Sequence, residues 1–315
     1  VYEVELRTGE RVVAKFYRPG RWSSEQILEE HAFLSELEAA EVPVCAVREF
    51  PDGSTLKKVD GICYSLADRR GGRAPDELGD DAFRRLGRLV ARMHNVGASG
   101  PAQSRPQLTA DRYVRRSLDW LRTRDALPER LASRYFSAAE AVAVIADERM
   151  AGVDTLRVHA DLHFGNVLLR DEMLYLLDFD DMVTGPAVQD VWLATPGRGV
   201  DARRQRSLFL DGYEELREFD RQTLRLIEPL RGLRMVRYAV WLARRWDDPA
   251  FRSGWPQFAD TDFWDRETDD LEKLLEVIER EPERESETAV SVSVGSPSEG
   301  EGLTNRDYFW DWEGD

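Results

Sequence analysis

The stretch from His159 to Asp181 reads H-A-D-L-H-F-G-N-V-L-L-R-D-E-M-L-Y-L-L-D-F-D-D. Asp161 and Asn166 share a short loop with His159, His163 and Gly165, and an acidic cluster, Asp178, Asp180 and Asp181, follows an apolar run. Transfer of a phosphoryl group from ATP needs these residue types together. One carboxylate must orient the acceptor hydroxyl or take its proton, while an amide oxygen and a second carboxylate hold magnesium on the phosphates. Any single Asp here is more simply a solvated loop acid or a helix cap. The ordered set carries the information.

Val167-Leu168-Leu169 and Leu174 to Leu177 are apolar runs joined by the polar Arg170-Asp171-Glu172, a pattern that predicts a hairpin. A hairpin returns its ends to one place, so Asn166 and Asp178 would meet at one metal. The order His-x-Asp, spacer, Asn, then Asp-Phe is that of a protein-kinase catalytic segment. In an extended D-F-D run, Asp178 and Asp180 point to the same side, so spacing alone leaves the choice between them open.

Other elements must bring a cation and a nucleotide seat to this segment. Val1 to Leu6 alternates, Thr8-Gly9-Glu10 turns, and Arg11 to Tyr17 runs back, a β-hairpin with Lys15 on its second strand. Lys15, Lys57, Lys58 and Lys273 are the only lysines among 44 basic residues. A lysine kept among so many arginines suggests a need for a compact ammonium, with an outward-facing strand lysine as the plain alternative. Ser23 or Ser24 caps a helix running to about Ala40, in which Glu29 and Glu30 could hold Lys15. Leu34 and Leu37 place Glu30 beside the buried stripe, which leaves Glu29 as an ordinary surface acid.

A second hairpin is expected to turn at Pro51-Asp52-Gly53-Ser54 and return over Ile62 to Leu66. The change to R-R-G-G-R by Gly72 marks a hinge. The fold class expected is thus α+β and two-lobed, with a small β-rich lobe (1–68), a large helical lobe (69–281) and a disordered acidic tail (282–315). In the helical lobe, Phe83, Leu86, Leu89, Val90 and Met93 line one helix face that ends at His94, read as a packed histidine. Helices are predicted at 109–124, 129–150, 201–217, 220–247 and 260–280. The W-L-A-R-R-W run should lie in a buried helix with its arginines outward.

The 315 residues suffice for one large core or two modest ones, and the net charge of -16 argues against nucleic acid or anionic lipid as main partner. No window is apolar for long enough to span a membrane. Cys45 and Cys63 are too few for a disulfide framework, so a cytoplasmic location is expected, and a monomer.

The motifs V-V-A-K-F-Y-R-P-G-R-W, Q-I-L-E-E-H-A-F, H-A-D-L-H-F-G-N, D-F-D-D, G-P-A-V-Q-D-V-W, I-E-P-L-R and W-L-A-R-R-W-D-D-P-A-F resemble the stress response kinase A family. These are bacterial Ser/Thr protein kinases within the aminoglycoside phosphotransferase-like, protein-kinase-like superfamily. The resemblance covers about residues 1 to 280. It implies a catalytic role for Asp161 and Asp178, magnesium ligation by Asn166 and Asp178, and phosphate binding by Lys15 with Glu30 as its partner. It also implies adenine recognition by backbone around Ser65 and Ala67 up to Arg69, and a bracing role for Asp190. ATP and Mg2+ are the cofactors implied, and protein Ser/Thr hydroxyls or a small hydroxyl-bearing molecule the acceptors.

Three departures stand out against that family. Ala160 occupies a usual glycine position, the hairpin after Asn166 is one residue longer, and the family's first strand and phosphate-covering loop lie upstream of Val1. A truncated form of a longer kinase is the expectation. The competing readings are a small-molecule kinase (aminoglycoside, choline or homoserine type), a metal-dependent hydrolase using His159, Asp161 and His163, and a binding-only pseudokinase.

Overall fold

The computed structural model describes residues 1–75, 78–255, 258 and 262–287. Strand β1 (Tyr2–Glu5) pairs antiparallel with β2 (Arg11–Tyr17), as the alternation predicts, with Gly9 at φ 83° in the turn between them. Helix α1 (Ser24–Ala39) follows, and its N-terminus is a capping box: Ser23 accepts from the Gln26 N–H while the Gln26 side chain accepts from the Ser23 N–H. Strands β3 (Lys57–Val59) and β4 (Ile62–Asp68) complete an antiparallel sheet of order β1-β2-β4-β3. This corrects the expected second hairpin. Its return strand pairs with Lys57–Val59 across Asp60-Gly61, both at positive φ, and the turn at Pro51–Ser54 lies ahead of it. Both candidate turns carry Asp-Gly, and the hairpin forms at the one whose two residues directly join strand segments, Lys57–Val59 and Ile62–Asp68.

The remaining elements are α2 (Asp80–Ala98), α3 (Arg116–Arg124), α4 (Glu129–Met150), β5 (Leu156–Val158), β6 (Val167–Arg170), β7 (Met173–Leu176), β8 (Val183–Gly185), α5 (Val188–Ala194), α6 (Val200–Glu214), α7 (Ile227–Arg245), α8 (Pro249–Gly254) and α9 (Phe263–Glu287). Helix α9 extends past the predicted end of the helical lobe, and residues 288–315, the rest of the expected tail, lie outside the described residues. No described helix is long and apolar enough to cross a membrane.

The chain forms two compact units. One comprises Val1–Gln107 with Asp154–Asp220, so the small sheet, α1 and the whole His159–Asp181 stretch belong together. The other holds Leu108–Val153 and the chain from Arg221. In that second unit Trp241 packs against Tyr238, Phe251 and Trp255, and Arg245 lies across both Trp241 and Phe251 at 4.8 and 4.2 Å. The arginines of the W-L-A-R-R-W run are therefore not all turned outward. The flat guanidinium of Arg245 is used as a packing surface.

In the first unit, α2 and α6 meet backbone to backbone through reciprocal glycines. A Cβ on Gly87 would lie 1.9 Å from the Phe209 carbonyl oxygen, and one on Gly212 would lie 2.0 Å from that of Arg84. Gly97 similarly lets α2 approach β5, where a Cβ would sit 2.3 Å from the Arg157 carbonyl. Close approach buries Leu86, Val90, Phe209 and Tyr213, and sets the depth at which His94 enters the core. Gly87→Ala should cost roughly 3 kcal/mol or more, because backbone on both sides must part. Chemical denaturation measures it, and a loss below about 1 kcal/mol would mean the helices separate easily.

Candidate active site

The β6–β7 hairpin forms as its pattern predicts, with Val167 opposite Leu176 and Arg170 opposite Met173. Asp171 and Glu172 make its two-residue turn, both at positive φ (48° and 63°). At the other end the Leu177 N–H donates to the Asn166 carbonyl at 2.9 Å, which sets Asn166 beside the start of Asp178. The Asn166 Nδ2 donates to the Asp161 carbonyl (2.9 Å) and to its Oδ2 (3.3 Å). That leaves the amide Oδ1 turned the other way. Asp161 is buried, with His163 Nε2 3.5 Å from its Oδ2.

The loop carrying Asp161 is held from beneath by Asp190, which is fully buried. Its Oδ2 accepts from the His159 N–H at 2.8 Å and its Oδ1 from the Ala160 N–H at 2.7 Å. His94 reaches the same carboxylate at 3.0 Å through Nε2, and its Nδ1 meets the Tyr213 hydroxyl at 2.8 Å. His94 is indeed a packed helix histidine, and its packing serves the loop. Ala160 adopts φ 65°, so the departure from glycine falls on a left-handed residue.

His159 is also fully buried. Its Nε2 donates to the Leu177 carbonyl (2.7 Å), its Nδ1 accepts from the Asp161 N–H (3.3 Å), and its ring lies 4.5 Å from that of Phe179. With both ring nitrogens engaged inside the protein, His159 cannot be a zinc ligand, and the hydrolase reading loses its first residue.

Lys15 comes to the acidic cluster from β2. Its Nζ donates to Asp178 Oδ1 at 2.7 Å and to Glu30 Oε1 at 3.4 Å, and lies 3.4 Å from Asp180 Oδ1. Arg21 binds Asp180 at 3.0 Å and Asp181 at 2.9 Å. Burial would lower the lysine, but Asp178, Asp180 and Glu30 outweigh it and hold the ammonium well above its ordinary value. Burial would likewise raise Asp180, and Lys15 with Arg21 keeps its carboxyl below the usual range. Asp178 is 43% exposed while Asp180 is 11% exposed, so Asp178 is the carboxylate open to an incoming ligand.

Three features escaped the sequence. Glu30 is buried and its Oε2 accepts from Arg105 Nη2 at 2.6 Å, a partner 75 residues away that no local pattern announces. Glu29 is no ordinary surface acid: its carboxylate accepts the backbone N–H groups of Gln103, Ser104 and Arg105. Arg21, one of many arginines in the chain, neutralises two aspartates. Ser65 and Ala67 lie within β4, opposite Lys15 and Val13, and Ala67 also bridges to Val47. The Ser65 hydroxyl is 3.2 Å from that of Tyr17. Beyond the strand, Arg73 exchanges two backbone hydrogen bonds with Leu169, tying the chain after β4 to the β6–β7 hairpin.

With this geometry in place, comparison with known proteins defines the class. The family described as "Phosphotransferase enzyme family" (APH) matches residues 1–227, and the chain belongs to it. Among solved structures, amicoumacin kinase hAmiN in complex with AMP-PNP, Ca2+ and Ami superposes with a TM-score of 0.67 at 20% identity, covering 88% of this chain and 84% of that one. The microcompartment-associated aminopropanol kinase gives 0.63 at 17% identity, with 87% of each chain covered. The fold is therefore the α+β, two-lobed kinase-like fold.

More particularly, the chain is similar to stress response kinase A of Escherichia coli (strain K12), 36% identical over 283 residues, which is 90% of this chain and 86% of that protein. It is 35% identical over the same shares to "Serine/threonine protein kinase RdoA" of Salmonella typhimurium (strain LT2). The protein is a kinase.

Behind Lys15, His31 sits between two hydroxyls, Tyr17 at 2.8 Å and Thr55 at 2.8 Å. Either hydroxyl can donate or accept, so the neutral ring is satisfied in both tautomers. Protonation would add a cation near Lys15 and Arg105 in a desolvated place; burial first, then Lys15 and Arg105, lowers the histidine from 6.5 to about 4. The unfolded chain thus holds more protons between those values, and stability should fall as pH drops from about 6.5 to 4, by roughly 3 kcal/mol at most. His31→Gln should flatten that part of the pH–stability curve. An unchanged slope in denaturation at pH 4.5 and 7 would remove His31 from the account.

Proposed function

We propose that this kinase transfers the γ-phosphoryl group of ATP, with magnesium, to serine or threonine hydroxyls of protein substrates in a stress response. The observation that carries the reading is Lys15 Nζ at 2.7 Å from Asp178 Oδ1 and 3.4 Å from Glu30 Oε1, which joins three distant parts of the chain in one nucleotide-ready constellation. The acceptor class rests on the relatives, whose names are "Stress response kinase A" and "Serine/threonine protein kinase RdoA".

The donor set fits a hard cation. Asn166 offers Oδ1, Asp178 has an exposed carboxylate, and buried Asp180 Oδ1 accepts no hydrogen bond. We assign the metal to Asn166 and Asp178, with Asp180 held back by Lys15 and Arg21. When bound, magnesium would neutralise charge on the phosphate oxygens. Lys15 supplies its ammonium to the same phosphates once it leaves Asp178. Asp161 orients the acceptor hydroxyl and takes its proton as the new O–P bond forms and the bond to the ADP oxygen breaks. Asn166 fixes the Asp161 carboxylate through Nδ2, and Asp190 fixes the loop. Adenine would be read by backbone near Ser65 and Ala67, chiefly where β4 releases the chain at Asp68 and Arg69. The net charge of -16 and two free cysteines, Cys45 and Cys63, agree with a monomeric cytoplasmic enzyme that avoids nucleic acid.

Asp161→Asn should lower turnover by roughly a hundredfold or more while nucleotide affinity stays within about threefold. Single-turnover transfer of labelled γ-phosphate, offered to a protein mixture and separately to a metabolite pool, reads both rate and acceptor. Near-normal rates in the variant would sink the role of Asp161, and labelling of metabolites alone would reassign the acceptor.

Asp178→Ala should abolish metal-dependent nucleotide binding, whereas Asp180→Ala should weaken it less, because Asp180 is already neutralised inside the protein. Calorimetric titration of Mg-ATP into each variant distinguishes them. The larger loss on Asp180→Ala would move the metal site two residues along.

A further inference from the structure

Glu30 is a buried carboxylate whose two oxygens are divided between two cations, Arg105 at 2.6 Å and Lys15 at 3.4 Å. The Arg105 side chain is itself fully buried. Its Nη1 donates to the Asp180 carbonyl, its Nε donates to the Gln26 carbonyl at 2.8 Å, and its guanidinium stacks on Trp22 at 4.4 Å. One planar group thus touches α1 twice, the D-F-D-D segment once, and the tryptophan that follows β2. The loop presenting it is fixed in turn by Glu29 through the backbone N–H groups of residues 103–105. A surface arginine has no use for such a cage.

We propose that Arg105 is a positioning residue for phosphoryl transfer: by satisfying Glu30, it frees Lys15 to serve the phosphates. This rests on the assignment of Lys15 and Glu30 given above. A carboxylate taken out of water demands a close cation. With Arg105 in place, the short bond is to Arg105 and the Lys15 contact is the long one. Lys15 is steered by Glu30 without being captured by it. Arg105 also pins the Asp180 carbonyl, which ties α1 to the acidic segment through one guanidinium. Without Arg105, the cation left to Glu30 among the described residues is Lys15, which would be drawn to it and away from the phosphates. Lysine at 105 could restore the charge but could not donate to Glu30, Gln26 and Asp180 in one plane.

The test is a double-mutant cycle on the full chain, with kcat and the KM for ATP measured for Arg105→Gln, Glu30→Gln and the double variant. The expected result is a KM raised roughly tenfold or more and a lower kcat in Arg105→Gln. The double variant should be little worse than Glu30→Gln alone, since the carboxylate that captures Lys15 is gone. Additive losses, or a fall in melting temperature with kinetics per folded molecule unchanged, would overturn the proposal. Should Arg105→Gln fail to fold, Arg105→Lys takes its place in the cycle, where an intermediate KM supports the proposal and a normal one refutes it. Lys15→Met in the same assay separates the two claims. If that variant keeps full activity, the underlying assignment fails, whatever Arg105 does.

Discussion

The ammonium of Lys15 is the point on which the site depends. It stands among Glu30, Asp178 and Asp180, three carboxylates from α1 and from the segment after β7. Without a cation, these acids would repel one another and two of them would be stranded in low dielectric. The sheet exists, in this sense, to bring one lysine to them: Lys15 pairs with Ser65 across β2 and β4, and the Tyr17 ring, next on the same face, lies 5.2 Å from Nζ. Arg21 and Arg105 then take the outer edges of the cluster. The arginines are anchors with several contacts each, and the lysine is a compact point charge facing three carboxylates.

A second constraint acts below the first. The loop from His159 to Asp161 turns on a left-handed residue, and here that residue is alanine at φ 65°. The conformation costs an L-residue roughly 1 kcal/mol relative to glycine. Asp190 offsets it with two backbone N–H bonds, and His94 and Tyr213 extend the network to α2 and α6. The reciprocal glycines between those helices therefore bear on the geometry of this loop, because they set where His94 and Tyr213 stand.

Much of this was legible in the sequence because it is local. Alternation and a Gly turn gave β1 and β2, Ser23 and Gln26 gave the start of α1, and paired apolar runs gave the hairpin that unites Asn166 with Asp178. Glu30 was separable from Glu29 because burial follows helical period. The illegible part is long-range and polar. Arg105 lies in the stretch P-A-Q-S-R-P-Q, which has no periodicity, and its partners are a carboxylate and two carbonyls, groups that occur everywhere. Hydrophobic pattern reports which face is buried. It does not report which charge meets which.

Glu29 shows how the two kinds of information combine. Its place one residue from the buried stripe read as that of a surface acid, whereas it is half-buried. Its function comes from the other strand of contact: a loop without helix or sheet partners must place its N–H groups somewhere, and the carboxylate of Glu29 takes three in a row. Adjacent glutamates on α1 thus divide the work. Glu29 fixes the backbone of the loop, the loop fixes Arg105, and Arg105 fixes Glu30, which closes a ring from one residue of the helix to the next. The alignment of Lys15 is the product of that ring, and a change at any member should be felt at the ammonium.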